Sequence, residues 1–363
     1  MASMLGGLGP NGESYHPTIF PTENFSAEND AELIEKAMKG LGTDESRLIE
    51  ILCDRTSSER FKIAKTYKSL YGKDLAKQLK SETSGNFGKI MRYLCLEKSM
   101  MKAKMLYDCI AGAGTDEDGL IEIIFSATNE ELKDIKDAYK KVLEFKGKDA
   151  SRRSLEKDVE GDTSGFFRRI LIATLQAERE EPDNKMYEKA QREGIQCLVN
   201  KAEAETMAKR LYDAGSGKLG TDESTFIRIL SHESVWQLGA IDEAYLRLTN
   251  KSLRDAVKSE TSGDFGKALK ATCKLHFTEF HFPLVDFSLD RPSAFAVILN
   301  KAMKGLGTKD DTLIRVISTR CDVDMQEIKE NYQRIYGKSL AADIKGDTSG
   351  DYKKALLTLI GEK

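Results

Sequence analysis

Four times along this chain of 363 residues, a glycine-threonine turn is answered at a set distance by an acid followed by Thr-Ser-Gly. The turns are Gly40-Leu-Gly42-Thr43, Gly112-Ala-Gly114-Thr115, Gly217-Lys-Leu-Gly220-Thr221 and Gly305-Leu-Gly307-Thr308. The answering acids are Glu82, Asp162, Glu260 and Asp347. The glycine before threonine and the acid stand 40 residues apart in the first, third and fourth copies and 48 in the second. By length alone the chain has room for two or three separate domains. An internal repeat of this size instead implies one supersecondary unit used four times, with neighbouring units sharing a core.

Each unit reads as five short helices. In the first, residues 30–39 lead into the glycine turn, and Thr43-Asp44-Glu45 opens the second helix with Thr43 as its expected N-cap. Leu48, Ile49, Ile51 and Leu52 supply that helix with an apolar stripe. A third helix follows Thr56-Ser57, with Phe61, Ile63 and Ala64 expected to face inward. A fourth covers about 73–81 around Leu75 and Leu79, and a fifth starts at Thr-Ser-Gly with Phe87, Ile90, Met91 and Leu94. Strand-type alternation is missing and only six prolines occur, so the expected fold class is all-α.

These patterns divide the chain into an extended head at 1–27 and four repeats at 28–98, 99–178, 206–282 and 283–363. A long Glu/Lys/Ala-rich connection at 179–205, with room for a further helix, joins the middle two. The third connection carries Phe277, Phe280, Phe282 and Phe287, and the second repeat gains its eight extra residues around Phe145–Arg153.

Fifty-six basic residues against 59 acidic leave a net charge of −3. A chain so balanced has no bulk attraction for nucleic acid or anionic lipid, so an acidic surface needs positive charge supplied locally. Calcium would supply it. The six cysteines form no Cys-x-x-Cys pair; five sit in helix-like apolar patterns as expected buried thiols, and Cys197 is the candidate for an exposed one. Residues 1–20 lack a secretory pattern, and no apolar run approaches ~18 residues, so membrane association is expected to be peripheral. Nucleophile-elbow, phosphate-loop, zinc-protease and EF-hand motifs are all absent, and His16, His232, His276 and His281 have no ligand spacing. An enzyme is not expected.

Calcium is a hard cation that takes ~6–8 oxygen ligands. A glycine turn between helices can offer several carbonyls, because glycine adopts backbone angles other residues avoid. Three carbonyls and one bidentate carboxylate make about five ligands, leaving positions open for water or a lipid phosphate. A single carboxylate implies weak calcium affinity alone, so calcium and phosphate binding should be coupled. The same residues also describe a plain helix C-cap glycine and a serine or threonine cap. Recurrence of the paired acid in all four copies favours the site.

Met38-Lys-Gly-Leu-Gly-Thr43 paired with Lys80-Ser-Glu-Thr-Ser-Gly85, four times over about residues 28–363, resembles the annexins. Lys345–Lys354 is especially similar to the family's fourth repeat. The resemblance implies a slightly curved disc of four five-helix repeats, with Ca2+ on the convex face bridging to acidic, phosphatidylserine-like phospholipids. The carbonyl ligands it implies are Met38, Gly40 and Gly42 with the carboxylate of Glu82, then Ile110, Gly112 and Gly114 with Asp162. They continue as Gly215, Lys218 and Gly220 with Glu260, and Met303, Gly305 and Gly307 with Asp347. Leu41, Ala113, Leu219 and Leu306 would sit at the lipid interface, beside Lys39, Lys218 and Lys304 at phosphates.

Several residues depart from the family pattern. Ala111 stands where the other turns carry lysine, so that headgroup contact is expected to be weaker. Lys102-Ala-Lys-Met105 replaces the acids that line a central channel, and Ala127 and Glu233 replace an arginine, so channel behaviour is not expected. The 179–205 connection exceeds what the family usually shows, and with the head it is a place for a protein partner or self-association. The resemblance implies a cytoplasmic protein, peripheral on membranes in calcium, with leaderless surface exposure also open. The alternative is a helical protein-binding scaffold whose calcium sites are vestigial or regulatory.

Overall fold

The structure is a computed structural model that describes residues 14–40, 42–112, 114–215, 222–255, 288–305 and 307–362. All its regular elements are helical. The first repeat comprises α1 (Ala27–Ala37), α2 (Glu45–Leu52), α3 (Ser57–Tyr71), α4 (Leu75–Glu82) and α5 (Gly85–Leu94). The second comprises α6 (Lys98–Ile110), α7 (Glu117–Ile124), α8 (Asn129–Phe145), α9 (Leu155–Asp162) and α10 (Gly165–Leu175). The connection holds α11 (Asn184–Glu193) and a 3-10 turn (Ile195–Leu198) before α12 (Lys201–Ala214), α13 (Glu223–His232) and α14 (Val235–Thr249). The last repeat is α15 (Arg291–Met303), α16 (Asp310–Arg320), α17 (Met325–Tyr336), α18 (Leu340–Asp347) and α19 (Gly350–Leu359). The expected aromatic cluster at Phe277–Phe287 lies outside the described residues.

Two compact units result. Residues 15–102 and 295–363 pair the first and fourth repeats, while 103–294 hold the middle two. Each repeat packs around one recurring tyrosine of its third helix, Tyr67, Tyr139, Tyr245 or Tyr332, none more than 1% exposed. Burying a phenol also buries a hydroxyl, which then needs a partner. Tyr139 donates to Asp158 at 2.8 Å and Tyr332 to Asp343 at 2.6 Å. The first repeat has Gln78 where the second and fourth place that acid, and Tyr67 turns to Glu35 instead.

Local signals explain the helix ends. Thr56 and Glu59 form a reciprocal capping box at α3, as Thr128 and Glu131 do at α8, each contributing about 1 kcal/mol. Ile63 is fully buried as expected, whereas Phe61 and Ala64 are only half-buried and Tyr67 takes the inner position. Cys53, Cys95, Cys109 and Cys321 are buried and Cys197 is half-exposed. Burial pushes the Cys95 thiol up to about 12.

Residues 14–26 do not form a free head. The Thr18 amide donates to the Cys321 carbonyl at 2.9 Å, its hydroxyl donates to Leu359 at 2.7 Å, and the Thr22 amide reaches Glu59 at 2.8 Å. Tyr15 and Ile19 are buried. This short segment therefore ties the last repeat to the first within their unit.

The connection between the middle repeats is stitched down at its start. Arg60 of the first repeat donates to the carbonyls of Arg55 and Leu52 at the end of α2, at 2.5 and 3.4 Å. The third repeat has Leu238 at the corresponding position, and Arg179 of the connection does the same work. It donates to the carbonyls of Glu233 at 2.9 Å and Leu230 at 3.2 Å. Burial lowers the Arg179 guanidinium to about 10, against the opposing pull of Glu181. Asn129 holds the Arg179 carbonyl at 2.7 Å, and the Glu180 amide donates to His232 at 2.6 Å. Beyond these anchors, α11 buries Tyr187 and Ala190 and leaves Met186 exposed.

Candidate metal centre

Each glycine turn leaves the first helix of its repeat and returns as the second. A backbone hydrogen bond closes it at the base: Asp44 to Ala37 at 2.9 Å, Asp116 to Cys109 at 2.8 Å, Asp222 to Ala214 at 2.7 Å and Lys309 to Ala302 at 2.8 Å. The third turn closes over one more residue, which accounts for the additional lysine in its sequence.

Both glycines of the first, second and fourth turns have positive φ. The values are 115° and 90° at Gly40 and Gly42, 144° and 93° at Gly112 and Gly114, and 127° and 89° at Gly305 and Gly307. A Cβ at any of the six would meet nothing within 4 Å, so glycine is required by the backbone angle and not by crowding. The turns stand open to solvent. Met38 and Met303, at the foot of two of them, keep their side chains buried, which fixes where their carbonyls leave the helix.

In the first, second and fourth repeats the acid is the last residue of the fourth helix. After it, Thr83, Thr163 and Thr348 turn extended, and their hydroxyls donate back to Leu79, Val159 and Ile344 at 2.5, 2.6 and 2.7 Å. Each of these carbonyls also accepts the same threonine's backbone amide, at 2.9, 3.0 and 3.1 Å, so two bonds hold the corner. Ser84, Ser164 and Ser349 occupy the next N-cap without a capping bond, and Gly85, Gly165 and Gly350 start the fifth helix at φ near 60°. Thr-Ser-Gly is thus a tight corner that leaves the acid at a helix end.

In the first, second and fourth repeats the threonine of the turn joins the two halves of the motif. Thr43 donates to the Glu82 carbonyl at 3.1 Å. The Thr115 hydroxyl lies 3.1 Å from the Asp162 carbonyl and 2.5 Å from its Oδ2, and Thr308 repeats this with Asp347 at 3.1 and 2.5 Å. The shorter aspartate thereby has its carboxylate held, while the longer glutamate is held only through its backbone. Thr43 was expected to cap α2. Asp44 does so instead, accepting from Arg47 at 3.0 Å, and Asp116 and Asp222 cap their helices in the same way. Leaving the cap to aspartate frees the threonine to reach across.

Through Thr43, Thr115 and Thr308 the structure links to Glu82, Asp162 and Asp347 the turns that carry Met38, Gly40 and Gly42, Ile110, Gly112 and Gly114, and Met303, Gly305 and Gly307. Gly215 is placed at the end of α12, where Met38 stands in the first repeat. Lys218, Gly220 and Glu260 lie outside the described residues, as do Leu41, Ala113, Leu219 and Leu306. Lys39, Ala111 and Lys304 are exposed at the turns.

Among the described residues, none of the nine candidate carbonyls in these three turns accepts a hydrogen bond. Nor does any cluster of three His, Cys, Asp or Glu side chains among them suit a metal. A cation here would have one carboxylate and a set of open carbonyl oxygens. That all-oxygen donor set fits calcium and is a poor match for softer metals. Sequence reasoning missed the threonine bridge and the amide that closes each turn. Threonine following glycine in all four copies was the available signal.

The annexin family model matches residues 29–94, 101–174, 206–272 and 294–359, one span per repeat. Annexin A13 of Schistosoma japonicum is 45% identical over 354 residues, covering 98% of this chain and 97% of that protein. Annexin B22 of Schistosoma mansoni is 41% identical, covering 99% and 95%. Among solved structures, calcium-bound annexin (Sm)1 is similar at a TM-score of 0.87 and 39% identity, covering 100% of this chain and 97% of that one. Four matched repeats, full-length relatives and a shared all-helical fold agree that this chain belongs to the annexin family, whose members bind phospholipid in a calcium-dependent way.

Proposed function

We propose that this protein binds calcium at its glycine turns and, through it, the phosphates of acidic phospholipid membranes, peripherally and reversibly. The observation that carries the reading is the threonine bridge, which in three described repeats joins an open-carbonyl turn to one acid. Calcium bound there supplies positive charge between a carboxylate and a lipid phosphate. Carbonyls of the turn, with Glu82, Asp162 and Asp347, would hold it, and Lys39 and Lys304 would meet neighbouring phosphates. Lys218, Gly220 and Glu260 complete the proposal in the third repeat.

The role is binding rather than catalysis, at cytoplasmic membrane faces with phosphatidylserine-like headgroups. Among the described residues no helix is long and apolar enough to cross a membrane. Sedimentation with phosphatidylserine vesicles tests the reading: pelleting in millimolar calcium and release by chelator are expected. Pelleting of the free protein in chelator, or none in calcium, contradicts it.

A further inference from the structure

The second repeat differs from the others at one place the calcium turns do not use. Between third and fourth helices the first repeat spends three residues, Gly72–Asp74, and the fourth spends Gly337–Ser339. The second spends nine, Lys146–Ser154, after a third helix that is itself longer. This insertion is built rather than slack. The Lys148 amide donates to Leu143 at 2.8 Å, and the Arg153 amide donates to Asp149 at 3.1 Å. The Arg153 side chain grips Asp158 through two bonds of 2.9 Å.

What the ordered loop presents is apolar and basic together. Phe145 is 72% exposed, the most exposed large apolar side chain among the described residues. Lys146, Lys148 and Arg152 follow it, all exposed, with Lys146 over the Tyr107 ring at 5.3 Å. Arg152 meets Asp149 at 3.4 Å with both side chains in solvent; Glu144 and Asp149 offset two of the three cations, so Glu144–Arg152 keeps a net charge of +1. The loop leads into α9 at Leu155, whereas Asp162 sits at the other end of the same helix. Eight residues of helix place the two about 12 Å apart, at opposite ends.

We infer that the Phe145–Arg152 loop is a second membrane contact, which engages the acidic phospholipid surface of another bilayer while the calcium turns hold the first. An exposed aromatic ring flanked by cations suits a bilayer interface, where the ring enters the headgroup layer and the cations meet phosphates. A soluble polyanion would use the cations and leave the ring in water. One such loop is too weak to hold a lone molecule. A layer of docked molecules presents many loops to the same vesicle, and their contacts then act together. The inference rests on the calcium turns for the first bilayer only.

The test docks the full chain on a supported phosphatidylserine bilayer in calcium, quantifies the docked layer, and then adds labelled vesicles. Vesicles containing phosphatidylserine should be captured and vesicles of phosphatidylcholine alone should not. F145S and K148E/R152E should each lower capture at least fivefold, with docked amount and thermal midpoint essentially unchanged. Equal capture by wild type and both variants overturns the inference. Loss in K148E/R152E with full capture by F145S also overturns it, assigning the loop to charge alone. The docked layer reports on the calcium turns and the captured vesicles on the loop, so the two readings fail separately.

Discussion

Replacing Thr308 or Thr115 by valine keeps the branched shape and deletes the hydroxyl that reaches across to the acid. In both repeats that hydroxyl lies 2.5 Å from a carboxylate oxygen, whereas Thr43 reaches only the Glu82 carbonyl at 3.1 Å. A hydrogen bond to a charged group contributes ~1.5–3 kcal/mol and one between neutral groups ~0.5–1.5 kcal/mol. These sites are open to water, which pulls both values to the low end or below: about 1 kcal/mol for the aspartate pair and under about 0.5 kcal/mol for Thr43. At ~1.4 kcal/mol per decade, that is roughly a fivefold loss of calcium affinity in the second and fourth repeats, against about twofold in the first. The assay is calcium-titrated sedimentation with phosphatidylserine vesicles, comparing T115V/T308V with T43V in the full chain. T115V/T308V should need several times more calcium at half-maximal binding, and T43V less than twice as much. Equal shifts in the two proteins, or none in T115V/T308V, would refute the role given to the carboxylate contact.

Two further predictions concern the frame. R179A leaves two helix-end carbonyls of α13 without their donor, so the thermal midpoint should fall by an amount equivalent to about 2–3 kcal/mol; an unchanged midpoint would show that the connection does not brace the third repeat. The second follows from Asp322. Its burial works to raise the carboxyl, but Lys98, Arg60 and the Ser57 hydroxyl overcome this and hold it well below the usual carboxylate range. A group depressed in the folded state stabilises fully above its unfolded value, about 3.9, and the benefit is lost as pH falls through the folded value. D322N should therefore cost about 3 kcal/mol near pH 7 and lose stability less steeply than wild type below pH ~4. Parallel stability curves for the two proteins would contradict the pairing.

The helical architecture was legible because the helices carry their own apolar periods, as α2 and α5 do with Leu48, Leu52, Ile90 and Leu94, and several carry caps such as Asp44 and Thr56. The acid of each proposed site stood out for a different reason, the fourfold recurrence of its register. Adjacent cap-competent residues defeated the finer reading: both Thr43 and Asp44 can cap α2, and only the distance to Glu82 decides between them. Arg179 was not legible at all, since it serves carbonyls more than 50 residues away in the chain. Phe61 was misjudged because Tyr67, with an acid for its hydroxyl, takes the inner position.

The measurement that bears most directly on this account is the calcium dependence of vesicle binding in a full-length variant carrying E82Q, D162N, E260Q and D347N. These changes preserve shape and remove the one charged ligand from each proposed site. The account predicts that wild type pellets with phosphatidylserine vesicles in calcium and is released by chelator, while the fourfold variant needs at least tenfold more calcium or fails to bind. Unchanged half-maximal calcium in a variant of unchanged fold would contradict the assignment of these acids.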